Sequence, residues 1–170
     1  IGPCINAGGR VGESKLGVKL LTTERLDEAI AISNRLKELN KKIKDIEKDV
    51  FNSACKKIDK MLLSADQKII IVHGKDWHEG VIGIVASRIV EKYKRPALVI
   101  ASKETLSKGS ARSIKGFDIG FLIRKLKEMR ILSSGGGHMM AGGFTIEYNN
   151  IKKINLYVNS KKNINCIDVN

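Results

Sequence analysis

The chain has 170 residues, 42% of them hydrophobic, and a formal net charge of +13 from 31 Lys and Arg against 18 Asp and Glu. That length suffices for one ordinary domain, or for a domain with an appended element, and no apolar run approaches the ~20 residues of a membrane-spanning helix. The N-terminus lacks the basic-then-apolar order of a signal peptide, and Cys4, Cys55 and Cys166 show no disulfide or zinc spacing, so the expectation is a soluble protein of a reducing cytosol with no membrane partner.

The positive charge suits a polyanion such as nucleic acid, because each phosphate neutralised by Lys or Arg releases a counterion. A Lys-, Ile- and Asn-rich composition, however, raises the lysine count everywhere. Residues 1–15 read as a loop punctuated by Gly2-Pro3, Asn6, Gly8-Gly9 and Gly12. With little to fold against, this segment suggests that sequence is missing upstream.

From Thr23 to about Leu63 the pattern is one long helix, since Ala29, Ile32, Leu36, Leu39, Ile43, Ile46 and Val50 recur at steps of three and four. Thr23 is a candidate N-cap, and Glu24, Asp27 and Glu28 suit the positive end of the helix dipole. Its polar face mixes lysines such as Lys37, Lys41 and Lys44 with Glu38, Asp45 and Glu47, which reads as a solvated face. A dimer through this helix is the other reading of its apolar stripe.

After Ser64-Ala65-Asp66 the chain becomes an α/β unit. Ile69 to Val72 reads as a buried strand, and His73 to His78 as a loop. Asp76-Trp77-His78-Glu79 has the form of a capping box opening a helix over residues 79–92, which Pro96 ends. Ala97 to Ala101 is a second buried strand, and strand–helix–strand implies parallel pairing with ligands at the carboxyl ends, beside Trp77 and His78. Trp77 is either a hydrophobic plug or a surface on which a base stacks.

Beyond the turn at Lys103 to Ser107, Ser110, Arg112 and Ser113 place a guanidinium among hydroxyls, either as a shared phosphate site or as a solvated edge-strand arginine. Asp118 caps a short helix with Ile119, Leu122, Ile123 and Leu126 inward, ending near Met129. Five glycines then surround His138 in Gly135-Gly136-Gly137-His138-Met139-Met140-Ala141-Gly142-Gly143. Such a run brings backbone N–H groups close to a phosphate, or it caps one helix and turns into the next strand. Phe144 to Tyr148 alternates as a half-buried strand, and the tail from residue 149 reads as a frayed helix or as disordered.

Four motifs in order, Gly2-Pro3-Cys4-Ile5-Asn6-Ala7-Gly8-Gly9-Arg10, Trp77-His78-Glu79-Gly80-Val81-Ile82-Gly83-Ile84-Val85-Ala86, Gly109-Ser110-Ala111-Arg112-Ser113 and Gly135-Gly136-Gly137-His138, resemble those of RecJ-type single-strand-specific DNA exonucleases in the DHH phosphoesterase superfamily. The resemblance covers about residues 1–148. It implies an α/β fold with a mixed, largely parallel sheet flanked by helices, preceded by one long connecting helix. Residues 1–22 would be the tail of the DHH domain, 23–66 the connecting helix, 67–148 the DHH-associated substrate-binding domain and 149–170 a polar tail.

The resemblance further implies a 5'-3' exonuclease of recombination and repair, with single-stranded DNA as partner. Its divalent metal, Mn2+ or Mg2+, would be bound by Asp and His motifs that this sequence lacks. The expectation is therefore a fragment without a metal site of its own, inactive alone. By motif position, Asn6, Arg10, Trp77, His78, Ser110, Arg112, Ser113 and Gly135 to Gly137 would bind the strand, and His138 would hold the phosphate near the scissile bond. Cys4 stands where relatives commonly carry arginine. A DHH phosphodiesterase for short oligonucleotides or cyclic dinucleotides, and an RNA-binding lobe as in alanyl-tRNA synthetases, are the alternatives.

Overall fold

A computed structural model of the chain describes residues 2–61 and 67–159, so the expected linker at Ser64 to Asp66 and the tail past residue 159, Cys166 included, lie outside the described residues. Two compact units, Ile1–Asp49 and Val50–Asn170, divide the chain.

In the first unit the expected loop over residues 1–15 is largely helical: α1 spans Gly2–Arg10 and α2 begins at Lys15, running Lys15–Thr22. Of the glycines that suggested a loop, Gly8 serves close packing, as does Gly17 within α2. A Cβ on Gly8 would lie 2.5 Å from the Glu13 carbonyl oxygen, and one on Gly17 would lie 2.9 Å from Ile5 Cγ2. Gly12, with φ 87°, makes the turn between the two helices. Arg35 then grips Glu13 with hydrogen bonds of 2.6 and 3.3 Å, which holds that carboxyl below its ordinary value.

Helix α3 spans Leu26–Met61, 36 residues, or ~54 Å at ~1.5 Å per residue. Thr23 does not begin it: the Thr23 N–H donates to Lys19 O at 3.0 Å and closes α2, while its hydroxyl accepts from Arg25 N just ahead of α3. Ile32, Leu36, Leu39 and Ile43 are buried along one stripe, continued in the second unit by Val50, Ala54 and Ile58, and the lysines of the polar face are exposed.

The second unit is built on five strands, β1 Ile70–Gly74, β2 Ala97–Ala101, β3 Leu106–Arg112, β4 Ser134–His138 and β5 Ala141–Glu147, in the order β1-β2-β3-β5-β4. The sheet is mixed and flanked by helices, as expected. It is not largely parallel: only β1 and β2 pair parallel, over the crossover helix α4 (Ile82–Tyr93), and the other three pairings are antiparallel. The reason is local, since β2 to β3 and β4 to β5 are joined by short hairpin connections that permit only antiparallel pairing.

The expected capping box at Asp76 and Glu79 does not form. Glu79 pairs with Lys103 instead, the His78 ring accepts from Gly80 N at 3.0 Å, and α4 starts three residues later with no side-chain cap. Its other end follows expectation, closing on left-handed Lys94 (φ 54°) before Pro96. Asp118 does cap its helix, α5 (Ile119–Glu128), accepting from Phe121 N at 2.8 Å. The segment expected to fray contributes α6 (Ile151–Asn159), because Ile151, Ile154 and Val158 enter the core.

Strand alternation gives the sheet two distinct faces. Ile71, Leu98, Ile100, Ala111, Phe144 and Ile146 form a core with Leu122, Ile123 and Leu126 of α5 and with α6. Helix α4 packs on β2 and β3 from the other side, burying Val85, Ala86 and Ile89. The last turns of α3 brace this unit: Phe51 lies under the Arg88 guanidinium at 4.0 Å, Tyr93 donates to Asp59 at 2.7 Å and Lys57 donates to His73 O at 2.7 Å. Burial, reinforced by the hydrogen bond to Asp59, pushes the Tyr93 hydroxyl up.

The glycines of β4 and β5 divide by what surrounds them. A Cβ on Gly137 would strike the Ala141 carbonyl, one on Gly142 would strike Ile123, and one on Gly135 would come within 3.0 Å of Ile123 and Phe144. At Gly136 it would meet nothing within 4 Å, and at Gly143 only Gly109 O at 3.9 Å. Neither of these two has a positive φ. We therefore expect Gly137→Ala and Gly142→Ala to lose about 1–3 kcal/mol of stability through overpacking, and Gly136→Ala and Gly143→Ala to lose almost none. Equal losses at all four positions in chemical denaturation would contradict this division.

Burial first, and the Lys57 ammonium second, hold His73 below its ordinary value of 6.5. The unfolded chain then binds the proton more readily than the folded one. The stability this represents is present above the unfolded value and is lost as pH falls through the folded value. The denaturation midpoint should fall less between pH ~7.5 and ~5 in His73→Gln than in the parent, and an identical fall would remove His73 as a cause.

Candidate nucleic-acid interface

The glycine–histidine stretch, expected as a loop, is a β-hairpin. His138 pairs with Ala141 across the two-residue turn Met139-Met140. Neither turn residue has a positive φ, so the tight primed turns that suit hairpins are not used. The tip is tied down instead: Met139 O accepts from Ile119 N at 3.1 Å and Met140 O from Ser113 N at 3.0 Å. Gly120, in the first turn of α5, leaves room for the His138 backbone, which a Cβ there would approach to 2.9 Å. His138 is thus fixed by its main chain while its ring stays exposed. Its Nδ1 accepts from Met140 N at 3.3 Å, which leaves Nε2 to carry the proton and face outward.

The register aligns Arg112, Ala141 and His138 in one row across β3, β5 and β4, with the outer two ~10 Å apart at ~4.8 Å per strand. Ser110, Gly143 and Gly136 form the next row. Both rows lie on the face opposite the α5 core, with their β3 members packed against α4 and their β5 and β4 members beyond it. Nothing larger than a serine hydroxymethyl rises from the second row, so the backbone is bare between the two basic side chains of the first.

Arg112 is half-buried against α4. Its Nε donates to Ser87 Oγ at 3.2 Å, and its Nη1 donates to Ala111 O at 2.9 Å and to Ser110 Oγ at 3.4 Å. Ser87 in turn donates to Gly83 O at 3.2 Å. Gly83 lets the helix come this close, since a Cβ there would lie 3.3 Å from Ser110 Oγ and 3.5 Å from Arg112 Nη2. Every partner is neutral, and among the described residues no carboxylate pairs with this guanidinium. A positive charge oriented by neutral acceptors is left to be balanced by an external anion, and its planar fork matches a phosphate.

The structure brings together Ser110, Arg112, Gly136 and His138. It places Ser113 elsewhere: this residue is 5% exposed, and its hydroxyl donates to Phe117 O at 2.7 Å inside a turn, so it has no donor left for a strand. Gly135 and Gly137 face the α5 side and serve packing, although β4 is an edge strand whose outer row of backbone groups lacks a neighbouring strand. Arg112, offered as an edge-strand residue in one reading, stands on a central strand. Asn6 and Arg10 lie on α1 in the first unit, Asn6 exposed and Arg10 half-buried.

Trp77 and His78 do not join the Arg112 row. They follow Gly74, whose row runs through Ala101 to Lys108, four residues along the sheet from the row of Arg112, or ~13 Å at ~3.3 Å per residue. The Trp77 ring lies against Gly74, where any Cβ would overlap it, with Lys57 Nζ 5.4 Å from its centroid. Its seat is that of a plug. Ser87 was missed in the sequence, and Gly83 was given no role there. Only the strand alternation of Ser110 and Arg112 hints at their face, and nothing local marks Ser87. Among the described residues no three His, Cys, Asp or Glu side chains group to hold a metal ion, so the residues present do not fit a catalytic metal.

The DHHA1 domain model matches residues 66–162. The single-stranded-DNA-specific exonuclease RecJ of Escherichia coli is 34% identical over 158 residues, 89% of this chain and 27% of that protein. The protein of the same name from Bacillus subtilis is 35% identical over 162 residues, 94% of this chain and 20% of that one. A crystal structure of RecJ from Thermus thermophilus in complex with Mg2+ has a TM-score of 0.79 and 31% identity, covering 92% of this chain and 24% of that one. The chain thus spans about a quarter of the length of these relatives. With its sheet, its flanking helices and more than half its residues matched, this chain belongs to the DHHA1 domain family.

Proposed function

We propose that this chain is the strand-binding part of a single-stranded-DNA-specific exonuclease that acts from the five-prime end in recombination and repair. The observation that carries this reading is Arg112, a half-buried guanidinium held only by neutral groups above a bare stretch of sheet. In it, residues 67–148 are the substrate-binding domain, residues 23–66 the connecting helix and residues 1–22 the end of a DHH domain that presents Asn6 and Arg10 to the strand. The identities to RecJ proteins named as single-stranded-DNA-specific exonucleases support it.

In this reading Arg112 and the outward Nε2–H of His138 hold one backbone phosphate from two sides. Gly136 and Gly143 leave room for the strand to lie on the sheet. Fixed donors of this kind orient the phosphodiester and stabilise negative charge that builds on its oxygens during hydrolysis. The neighbouring RecJ structures contain Mg2+ or Mn2+, and a divalent ion would supply the nucleophile there. No step is assigned to a metal on this chain, whose described residues do not fit one.

The 170-residue chain should bind oligothymidylate with an affinity that falls as salt rises, with a logarithmic slope of about −0.7 per phosphate contacted. Arg112→Ala should weaken binding about tenfold, in line with the ~1.5–3 kcal/mol of a charge-assisted hydrogen bond, and His138→Ala should weaken it several-fold. Both variants should remain folded, with cooperative thermal unfolding. Unchanged affinity in both would return these residues to a structural role, and manganese-dependent hydrolysis by this chain alone would overturn the assignment of the metal to residues elsewhere.

A further inference from the structure

We propose that Lys108, standing over the Thr145 hydroxyl, is a second phosphate contact, so that a bound strand runs lengthwise over β5, beside α4, rather than across the sheet. This rests on the reading that Arg112 meets a backbone phosphate. Lys108 shares a strand face with Ser110 and Arg112, while Ser107, Gly109 and Ala111 turn to the core. By register it opposes Thr145, which opposes Ser134, in the row beyond Ser110, Gly143 and Gly136.

The Lys108 ammonium donates to Thr145 Oγ1 at 3.1 Å, so it is drawn over β5 rather than trailing into solvent. Two acids of the neighbouring turns are already paired: Glu104 meets Lys75 at 3.4 Å, and Glu79 meets Lys103. Glu147, the remaining carboxylate of that end of β5, opposes Leu106. Among the described residues Lys108 forms no ion pair. Like Arg112, it is a cation fixed by a neutral partner on the open face.

Arg112 and Lys108 are four residues apart on one strand, ~13 Å at ~3.3 Å per residue. Arg112 leans to Ser110 Oγ at 3.4 Å and the Lys108 ammonium to Thr145 Oγ1 at 3.1 Å, so the cations are held in different rows, and beside α4 only Gly143 and Gly136 stand in the row between. A ligand that engages both must carry at least two phosphates on an extended backbone. The chemistry is that of a polynucleotide strand rather than a mononucleotide.

The test compares a twelve-residue oligothymidylate with the one-phosphate dinucleotide of thymidine, on the 170-residue chain. Lys108→Gln, which keeps a donor for Thr145, should weaken the twelve-residue strand about fivefold. It should also reduce the magnitude of the salt slope by about 0.7, the release from one phosphate. The dinucleotide, read by chemical-shift titration, should bind as before, and Lys108→Arg should restore the longer strand. Unchanged affinity and slope for the longer strand, or an equal loss for both ligands, would overturn the second contact. Failure of the underlying reading looks different, because Arg112→Ala would then leave both ligands unaffected.

Discussion

The close approach of the β4–β5 hairpin to α5, which glycine alone permits, sets the position of His138 and of the bare β4–β5 part of the candidate interface. Gly135 and Gly142 let the two strands lie against Ile123, and Gly120 lets the helix start beneath the backbone of His138. The hairpin tip is then tied by its own carbonyls to Ile119 and Ser113. With the tip immobilised, the register brings His138 into the row of Arg112 without any contact between their side chains being needed. The core beneath, from Leu98 through Phe144 to α6, holds that register, because a shift of one residue would turn the apolar face outward.

On this scaffold the charge arrangement follows a simple rule. Glu104 and Glu79 are paired with other lysines, and the two cations that rise from β3 rest on hydroxyls and a carbonyl. Neutral partners orient a cation without neutralising it, so the face keeps a positive potential that an anion can balance. The solvated lysines of α3 are different. They are interleaved with nearly as many acids along an exposed helix, so they add little to the net charge of +13 and specify no site.

Much of this was legible in the sequence where the deciding forces are local. Apolar periodicity marked α3, the strands Ile70–Gly74 and Ala97–Ala101, and α5 with its Asp118 cap. Residue chemistry and motif order marked Arg112 and His138. The failures share one cause, which is that glycine and short polar motifs are ambiguous until their partners are known. Gly8 looked like loop punctuation and proved to be a helix contact, the glycines around His138 proved to be strand, and Asp76 to Glu79 lost its capping role to a pairing with Lys103. Pairing of β3 with β5 is a long-range choice that no single segment encodes, and the register of β1, β2 and β3 separates Trp77 from Arg112 along the sheet. Ser87 carried no signal, because its role exists only where α4 crosses β3.

The central claim, that the open face of β3, β5 and β4 is where a polynucleotide lies, is tested most directly by titrating the isotopically labelled chain with a short oligothymidylate and following backbone amide and arginine Nε–H resonances. The account predicts that Gly136, Gly143, His138, Ser110 and the Arg112 Nε–H shift together, saturating at one ligand concentration, while the α5 and α6 amides remain in place. Shifts confined to the Trp77 loop or to the lysine face of α3, with the Gly143 and Arg112 signals unmoved, would contradict it.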